Sequence, residues 1–316
     1  MITFGPIPSR RLGRSLGVNN IPPKICTYSC TYCQQGYSSK VQIERQAFFK
    51  PEEIRTAVQE QIDRAAAANE NIDYISFVPD GEPTLDINLG REIALLKLLN
   101  IPIAVITNAS LLWKADVRAE LASADWVSVK VDTVNEQIWR KIDHPHRGLS
   151  LPLIMEGILA FASEYQGKLY TETMLVQNIN DNEEYLDHTA RFIARVKPQI
   201  AYISIPTRPP ADKKIKPPDE IMVNKAYQIY SRYIDKVEYL IGQEGDSFTY
   251  TGNLEKDLLS ITSVHPMRKS AVKELLGKAQ QEWTAVEQLV AEGKLIELNF
   301  DGDKFYMRKL FDSYKR

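Results

Sequence analysis

The chain has 316 residues, of which 44% are hydrophobic and 25% are charged, and its formal net charge at pH 7 is −2. This length is enough for one large domain, or for a large domain with a small one. The balanced charge lacks the basic excess of nucleic-acid binders and the acidic excess that would predict disorder. The N-terminus lacks the order of a signal peptide, and no apolar run approaches the ~20 residues of a membrane-spanning helix. We therefore expect a cytoplasmic protein with no membrane partner.

The first half of the chain alternates between helices and short apolar strands. Residues 5–20 are rich in glycine and proline and are predicted to form a loop, with a short buried strand near 16–18. The predicted helices that follow cover 51–69, 89–99, 114–122, 151–165 and 183–196; the predicted strands cover 72–78, 101–107, 126–131, 169–176 and 201–206. Such alternation indicates βαβ units and a parallel sheet. We predict the α/β class, with six units forming a partial (β/α)6 barrel of the TIM type, whose reactive residues gather at the C-terminal strand ends.

The last third of the chain has a different pattern. Residues 207–222, rich in proline and lysine, are predicted to form a long loop over the barrel mouth, followed by a helix at 223–233 and a strand at 237–241. Residues 242–252 are predicted to form a linker. Three short helices and a hairpin with a turn at 301–303 then indicate a small C-terminal winged-helix domain. We predict a barrel domain at 1–245 and a winged-helix domain at 253–316.

The three cysteines of the chain lie within eight residues, at Cys26, Cys30 and Cys33. A short loop with this spacing can hold one metal cluster with three thiolates and leave one metal corner open for a small molecule. A structural zinc site normally has four ligands, and the nearest histidine is the distant His144, so zinc is the alternative. An odd number of closely spaced cysteines also argues against a disulfide framework. The pattern favours a three-cysteine [4Fe–4S] cluster.

The Cys-x3-Cys-x2-Cys spacing near the start of a βα barrel resembles the radical S-adenosylmethionine (SAM) superfamily. The resemblance covers roughly residues 10–206, and Tyr32, before the third cysteine, fits the family position that contacts the SAM adenine. It implies that the fourth iron binds SAM and that the reduced cluster cleaves SAM to methionine and a 5′-deoxyadenosyl radical, with flavodoxin or ferredoxin as electron donor. The glycine- and proline-rich opening run resembles a subgroup near the wyosine-type tRNA synthases.

A second candidate stretch follows the predicted strand at 72–78. Asp80, Gly81, Glu82 and Pro83 form a turn in which glycine permits close backbone approach. The resemblance implies that this turn binds the SAM amino group, as a Gly-Gly-Glu-Pro stretch does in the family, although Asp80 replaces the first glycine. The alternative is a simple strand-to-helix turn.

Two further strands carry polar residues at or near their C-terminal ends. Thr107 and Asn108 end an apolar strand, which indicates a site; the resemblance implies SAM ribose contacts there, although Ala109 replaces a family glycine. The alternative is a turn residue with a helix cap. Ser128, Lys130 and Asp132 share one strand face by their period of two. The resemblance implies that they meet the SAM ribose and carboxylate, and the alternative is a mutual ion pair.

The substrate candidates are arginines. Arg10 and Arg11 precede the cysteine loop, and their guanidinium groups suit an anion or carboxylate clamp, with surface salt bridging as the alternative. Arg208, beyond the last barrel strand, is a further candidate for a substrate anion. The inward face of the strand at 169–176 is not decided by the pattern, so either Thr171 or Glu172 is a candidate contact.

The C-terminal domain gives little sign of DNA binding. Its presumed recognition helix, 284–292, carries two glutamates and no basic residue, so we do not expect DNA as a partner. We predict a radical SAM enzyme that abstracts hydrogen from a substrate, with RNA or a peptide docked by the C-terminal domain. The alternatives are a radical SAM enzyme acting on a small metabolite and a non-enzymatic iron–sulfur or zinc regulator.

Overall fold

The computed structural model describes residues 2–241, 246, 248–263 and 265–309. The strands in chain order are β1 (Thr3–Ser9), β2 (Gly13–Val18), β3 (Ile25–Cys26), β4 (Lys40–Val41), β5 (Tyr74–Phe77), β6 (Ile103–Thr107), β7 (Trp126–Lys130), β8 (Lys168–Met174), β9 (Ile200–Ser204), β10 (Val237–Tyr239), β11 (Met267–Arg268), β12 (Leu295–Phe300) and β13 (Asp303–Arg308). The helices are α1 (Pro51–Ala67), α2 (Leu89–Lys97), α3 (Ala115–Leu121), α4 (Glu136–Ile142), α5 (Leu151–Glu164), α6 (Glu183–Val196), α7 (Glu220–Tyr230), α8 (Leu254–Ile261), α9 (Lys269–Ala279) and α10 (Thr284–Ala291).

Eight strands form one sheet in the order β1-β2-β5-β6-β7-β8-β9-β10. Every neighbouring pair from β2 to β10 is parallel, whereas β1 pairs antiparallel with β2. The sheet has β1 at one edge and β10 at the other, so the barrel is open. The predicted α/β class and partial barrel are confirmed, and the parallel strand β10 at the far edge lies within the strand predicted at 237–241.

The central parallel strands β5, β6 and β7 are largely buried on both faces, which explains their apolar composition. Ile75, Phe77, Val105 and Val127 are fully buried in the main core. Helix α1 covers part of this core with its buried face and begins at Pro51, a residue that suits the first helical position. Burial of each such aliphatic side chain contributes about 1.5–3 kcal/mol to folding. The carboxyl ends of these strands consequently meet at one rim of the sheet, where the cysteine loop also lies.

Three of the larger differences from the sequence prediction have a clear local cause. Residues 5–20 form most of the β1–β2 hairpin rather than a loop, because Gly13 with φ +64° makes the turn between strands. Helix α4 was not predicted, and Asn135 caps it by accepting from the backbone N–H groups of Gln137 and Ile138. Helix α7 begins at Glu220, three residues earlier than predicted, because Asp219 is its N-cap and accepts from the N–H of Met222.

A separate hydrophobic cluster holds the C-terminal helices α8–α10 and a three-stranded sheet of order β11-β13-β12. Ile7 of β1 packs against this cluster, and Arg14 donates to the hydroxyl of Thr249 at 2.6 Å, so the unit is seated on the β1 edge of the barrel. The winged-helix assignment and the boundaries at 245 and 253 stay predictions, and residues 242–245 and 247 of the predicted linker lie outside the described residues.

Among the described residues, no helix combines the length and apolar character needed to cross a bilayer.

Candidate active site

The cysteine loop is held in place by backbone hydrogen bonds on several sides. Strand β3 ends at Cys26 and pairs with β4, while the N–H of Cys33 donates to the carbonyl of Cys30 at 3.1 Å. The N–H of Ser29 donates to the carbonyl of Asp143 (3.0 Å), and that of Thr31 donates to the carbonyl of Ile142 (2.9 Å). The end of α4 therefore supports the loop from outside, which leaves the three thiols to line one cavity.

The three thiols are unpaired and half-buried, and their surroundings disfavour the thiolate form. Burial, followed by the charge of Glu82, raises the pKa of Cys26 to about 12. Burial, followed by the charge of Asp80, raises the pKa of Cys33 to about 11, and burial likewise raises that of Cys30 well above its usual value. A bound metal reverses this because it deprotonates coordinating thiols outright. Three thiols that line one cavity are the donor set that an iron–sulfur cluster uses, so the chemistry of these residues fits such a cluster.

The turn after β5 packs directly against the cysteine loop. Gly81, with φ +156°, pairs with Ile25, and a Cβ at Gly81 would lie 2.0 Å from the carbonyl oxygen of Ile25. The N–H of Glu82 donates to that same oxygen at 3.2 Å. Glycine is required here because any side chain would separate the turn from the loop that carries the thiols.

The carboxylate of Glu82 holds this turn to the end of β6. It is 1% exposed and accepts from the N–H of Thr84 (3.1 Å), the hydroxyls of Thr84 and Thr107 (each 2.6 Å) and the N–H of Asn108 (2.8 Å). Burial raises its pKa, although these hydrogen bonds oppose the shift. Glu82 therefore acts as a positioning residue, and the adjacent Pro83 begins a short 3-10 helix outside the cavity lining.

Asp80 presents a different carboxylate in the same turn. It lines the cavity at 7% exposure, and its Oδ2 has no hydrogen-bond partner among the described residues. Burial raises its pKa to about 7, although the charge of Lys24 opposes the shift. A buried carboxylate with an unused oxygen is well suited to accept from a cationic group, such as an ammonium, inside the cavity.

Asn108 connects the end of β6 to the first cysteine. Its Nδ2 donates to the hydroxyl of Thr27 at 2.7 Å and lies 3.6 Å from the Sγ of Cys26. Ser110 also contacts the Thr27 hydroxyl, at 2.7 Å. The structure thus brings Thr107, Asn108 and the cysteine loop together, and it adds Thr27 and Ser110, which the sequence analysis missed.

An ion network crosses the inner face of β7 and β8. Lys130 and Glu172 are direct partners in the register of these strands, with Nζ and Oε1 3.4 Å apart, and Arg11 pairs with the other Glu172 oxygen at 2.5 Å. Burial alone would raise the pKa of Glu172, but the charges of Lys130 and Arg11 outweigh it and lower the pKa to about 2. Both Lys130 and Glu172 line the cavity, so Glu172 faces inward. The buried Ser128 hydroxyl lies 3.5 Å from Arg11 and outside the cavity lining.

Tyr32 lies over this network. Its hydroxyl donates to Asp132 and also contacts Asp143 at 3.2 Å, while the Lys130 ammonium lies 4.8 Å from its ring centroid. Burial and the charge of Asp132 raise the pKa of Tyr32, so its hydroxyl stays protonated. The hydroxyl is fixed at its far end, so the ring is rigidly positioned where it lines the cavity.

The three candidate arginines line the same cavity, which has a volume of about 310 Å³. Arg10 donates to the carbonyl of Leu240, beyond β10. Arg208 donates to the Gln34 side chain at 2.7 Å and to Nε2 of His265 at 3.0 Å, so it joins the cysteine loop to the C-terminal unit. The sequence-predicted thiols, polar strand ends and arginines therefore meet at one rim, whereas Pro83 and Ser128 do not reach it.

Comparison with known proteins gives a consistent result. The family model described as the radical SAM superfamily matches residues 20–193. A UPF0026 protein of Methanocaldococcus jannaschii is 48% identical over 311 residues, which covers 98% of this chain and 96% of that protein. An S-adenosylmethionine-dependent nucleotide dehydratase of Lacinutrix mariniflava is 27% identical, over 55% of this chain and 35% of its own.

A solved structure shares the fold. The structure of TYW1 with a lysine-pyruvate adduct bound superposes with a TM-score of 0.51 at 12% identity, covering 70% of this chain and 74% of that one. The family match extends over more than half of the chain and includes the cysteine loop, the turn after β5 and the β6 and β7 strand ends. The chain therefore belongs to the radical SAM superfamily, whose enzymes bind a [4Fe–4S] cluster and S-adenosylmethionine.

Proposed function

We propose that this protein cleaves SAM reductively and uses the resulting radical to abstract hydrogen from an anionic substrate. When bound, the reduced cluster supplies the electron that splits SAM into methionine and a 5′-deoxyadenosyl radical. Cys26, Cys30 and Cys33 would hold the cluster, and the three arginines would hold the substrate. The protein contributes the cavity that positions the reactants.

One observation carries the proposal: three thiols and three arginines line a single cavity. Arg11 pairs with Glu172, Arg10 donates to the carbonyl of Leu240, and Arg208 donates to the amide oxygen of Gln34. Each guanidinium has several donors in a planar fork that matches a phosphate or carboxylate, so a cavity lined by three of them suits a substrate with such a group. The substrate would consequently bear such a group on the side away from its reacting carbon.

The SAM contacts would come from the turn after β5 and from the ends of β6 and β7. Asp80 and the backbone of Gly81 would meet the SAM ammonium, and the ring of Tyr32 would lie against the adenine. Thr107 and Asn108 would serve the ribose, and Lys130 would meet the carboxylate. Glu82 would act indirectly, because its carboxylate already accepts four hydrogen bonds that fix the turn. Ser128 would act only by supporting Arg11.

A phosphate-bearing small molecule is the substrate class that we favour, since one relative is named a nucleotide dehydratase and arginine suits phosphate. The second candidate is RNA or a peptide docked by the C-terminal unit. The contact between Arg208 and His265 favours that candidate, because it places the C-terminal unit next to the cavity.

The first test is chemical. Anaerobically reconstituted protein should bind iron and, with SAM and dithionite, release 5′-deoxyadenosine; Cys30→Ala should abolish this release. Protein with a fully loaded cluster that releases no 5′-deoxyadenosine would favour a non-enzymatic iron–sulfur regulator. Protein that binds zinc without iron would refute the assignment of an iron–sulfur cluster. Flavodoxin or ferredoxin is the reductant that we expect in place of dithionite.

The second test separates the two substrate classes. Nucleoside triphosphates should bind the SAM-loaded protein in calorimetry, and Arg208→Met should weaken that binding at least about tenfold while leaving the affinity for SAM unchanged. His265→Ala should leave nucleotide binding within about twofold. Point variants are preferable to deletion of residues 253–316, because deletion would expose Ile7 and the rest of the β1 edge. Nucleotide binding that is absent, or insensitive to Arg208→Met, would favour the macromolecular substrate.

A further inference from the structure

A basic surface lies on the outer side of the cysteine loop. We call it the basic rim. It combines an exposed tyrosine, an exposed histidine and five exposed cations from three separate segments of the chain: Tyr37, His144, Lys141, Arg147, Lys213, Lys214 and Lys216.

Backbone contacts join two of these segments to the cysteine loop. Besides the two bonds from the end of α4, the N–H of His146 donates to the carbonyl of Thr27 at 2.9 Å, and the N–H of Asp212 donates to the carbonyl of Thr31 at 2.9 Å. The basic rim is therefore separated from the thiols by the backbone of the loop that carries them.

Tyr37 connects the three segments of the basic rim. Its ring is parallel to that of His144, with centroids 6.3 Å apart and an interplanar angle of 4°. Burial and the charge of Asp212, in the lysine-bearing segment, raise the pKa of Tyr37. An aromatic side chain that is 43% exposed thus lies between clusters of cations.

The basic rim carries a concentrated positive charge that Asp212 offsets only in part. In segments 140–147 and 212–216 the acidic residues are Asp143, which is buried, and Asp212, whose Oδ1 accepts from the N–H of Lys214 at 2.9 Å. None of the five cations forms an ion pair with another described residue, whereas the neighbouring Arg140 pairs with Glu136 at 2.6 Å. Such a concentration in a chain of net charge −2 indicates an anionic partner.

We propose that the basic rim is the docking surface for a small acidic electron-transfer protein of the flavodoxin or ferredoxin class; this rests on the proposed function. One electron passes from the reduced carrier to the oxidised cluster, and no bond forms or breaks. The carrier must bring its redox centre close to the cluster without entering the cavity, and none of the seven rim residues lines that cavity. A nucleic-acid substrate, by contrast, must deliver a carbon atom into the cavity. A small, charged and exposed surface also matches transient electron-transfer interfaces.

The test compares two double charge reversals that change net charge equally. Lys213→Glu with Lys214→Glu alters the basic rim. Lys168→Glu with Arg195→Glu is the matched control: Lys168 is at the start of β8 and Arg195 in the last turn of α6, both at the opposite end of the barrel. For each loaded protein, release of 5′-deoxyadenosine is measured with dithionite and with reduced flavodoxin. Calorimetry with flavodoxin at low and high salt gives a readout that is independent of activity.

The rim variant should release 5′-deoxyadenosine with dithionite at the wild-type rate. Its rate with reduced flavodoxin and its affinity for flavodoxin should each fall at least about tenfold. The affinity of the wild type for flavodoxin should fall as the salt concentration rises. The control should match wild type in all three measurements. Equal losses in both variants, or a rim variant that binds flavodoxin normally, would overturn the docking surface. A rim variant that loses RNA binding but not flavodoxin-dependent reduction would assign the surface to RNA instead. Failure of the wild type with dithionite would refute the proposed function itself.

Discussion

Replacement of Glu82 by glutamine tests whether this carboxylate holds the β5 and β6 strand ends together. Each carboxylate oxygen accepts from a backbone N–H: Oε1 from Thr84 and Oε2 from Asn108. A glutamine amide presents one oxygen and one NH₂ group, so in either orientation the NH₂ faces a backbone N–H that cannot reverse its role. Glu82→Gln therefore leaves at least one buried N–H without an acceptor.

An unsatisfied buried donor costs about 1–3 kcal/mol, and the loss of negative charge weakens the remaining bonds. The raised pKa of Glu82 shows that burial of its charge already costs free energy, and removal of that charge offsets part of the loss. We expect a net destabilisation of about 2 kcal/mol, which corresponds to a decrease in Tm of roughly 4 °C. The assay is thermal unfolding of the metal-free protein followed by circular dichroism at pH 7.

Thr84→Val is the matched control. It removes one hydroxyl donor to the same oxygen (2.6 Å) but keeps the side-chain shape and the backbone N–H. Its cost should be about 1 kcal/mol or less, since a single neutral hydrogen bond contributes about that much. If Glu82→Gln melts at the wild-type temperature, or if the two variants lose equal stability, the carboxylate does not hold the strand ends in the way described.

Three further predictions concern the turn after β5, the inner ion network and a buried carboxyl pair. Gly81→Ala should reduce iron and sulfide bound per chain after reconstitution, because its Cβ would lie 2.0 Å from the Ile25 oxygen; Gly277→Ala, with nothing within 4 Å, should not. Glu172→Gln should destabilise the protein by about 3–5 kcal/mol at pH 7 in denaturant titration. Because the folded-state pKa of Glu172 is lowered to about 2, this difference should persist above pH 4.5 and disappear as the pH falls towards 2; a constant difference would contradict it. Glu92 is fully buried, and burial followed by the charge of Asp86 raises its pKa. The folded state therefore binds more protons than the unfolded state, so the stability of the protein falls as the pH rises above about 4.5. Glu92→Gln should therefore gain stability relative to wild type at pH 8 compared with pH 5, and a gain that does not change with pH would be inconsistent with this reasoning.

The cysteine loop and the main helices could be predicted because each depends on local sequence. The spacing of Cys26, Cys30 and Cys33 restricts the ligand chemistry by itself, and helix α6 has the predicted bounds because its apolar period and its Asn182 cap agree. Helix α4 carries a similar signal, since Asn135 precedes Glu136, but it is only 7 residues long. A segment this short gives too few turns for its apolar period to identify a helix.

The inward face of β8 could not be predicted, because a period of two defines two faces without naming the buried one. The parallel register decides it: Lys130 is opposite Glu172, so a strand already assigned to the cavity places Glu172 there as well. Similarly, nothing local in the glycine-rich opening run shows that it pairs with a strand 60 residues later, as β2 does with β5. These features depend on long-range pairing.

Two departures from the family's glycines affect the site differently. Ala109 keeps the left-handed backbone, at φ +63°, that glycine would adopt without strain, so the substitution costs stability but leaves the shape of the turn. Asp80 keeps the turn as well, but it adds a carboxylate beside Cys33 and raises the pKa of that thiol. Asp80 therefore changes the electrostatics of the cavity next to the thiols, whereas Ala109 changes only the cost of the backbone conformation.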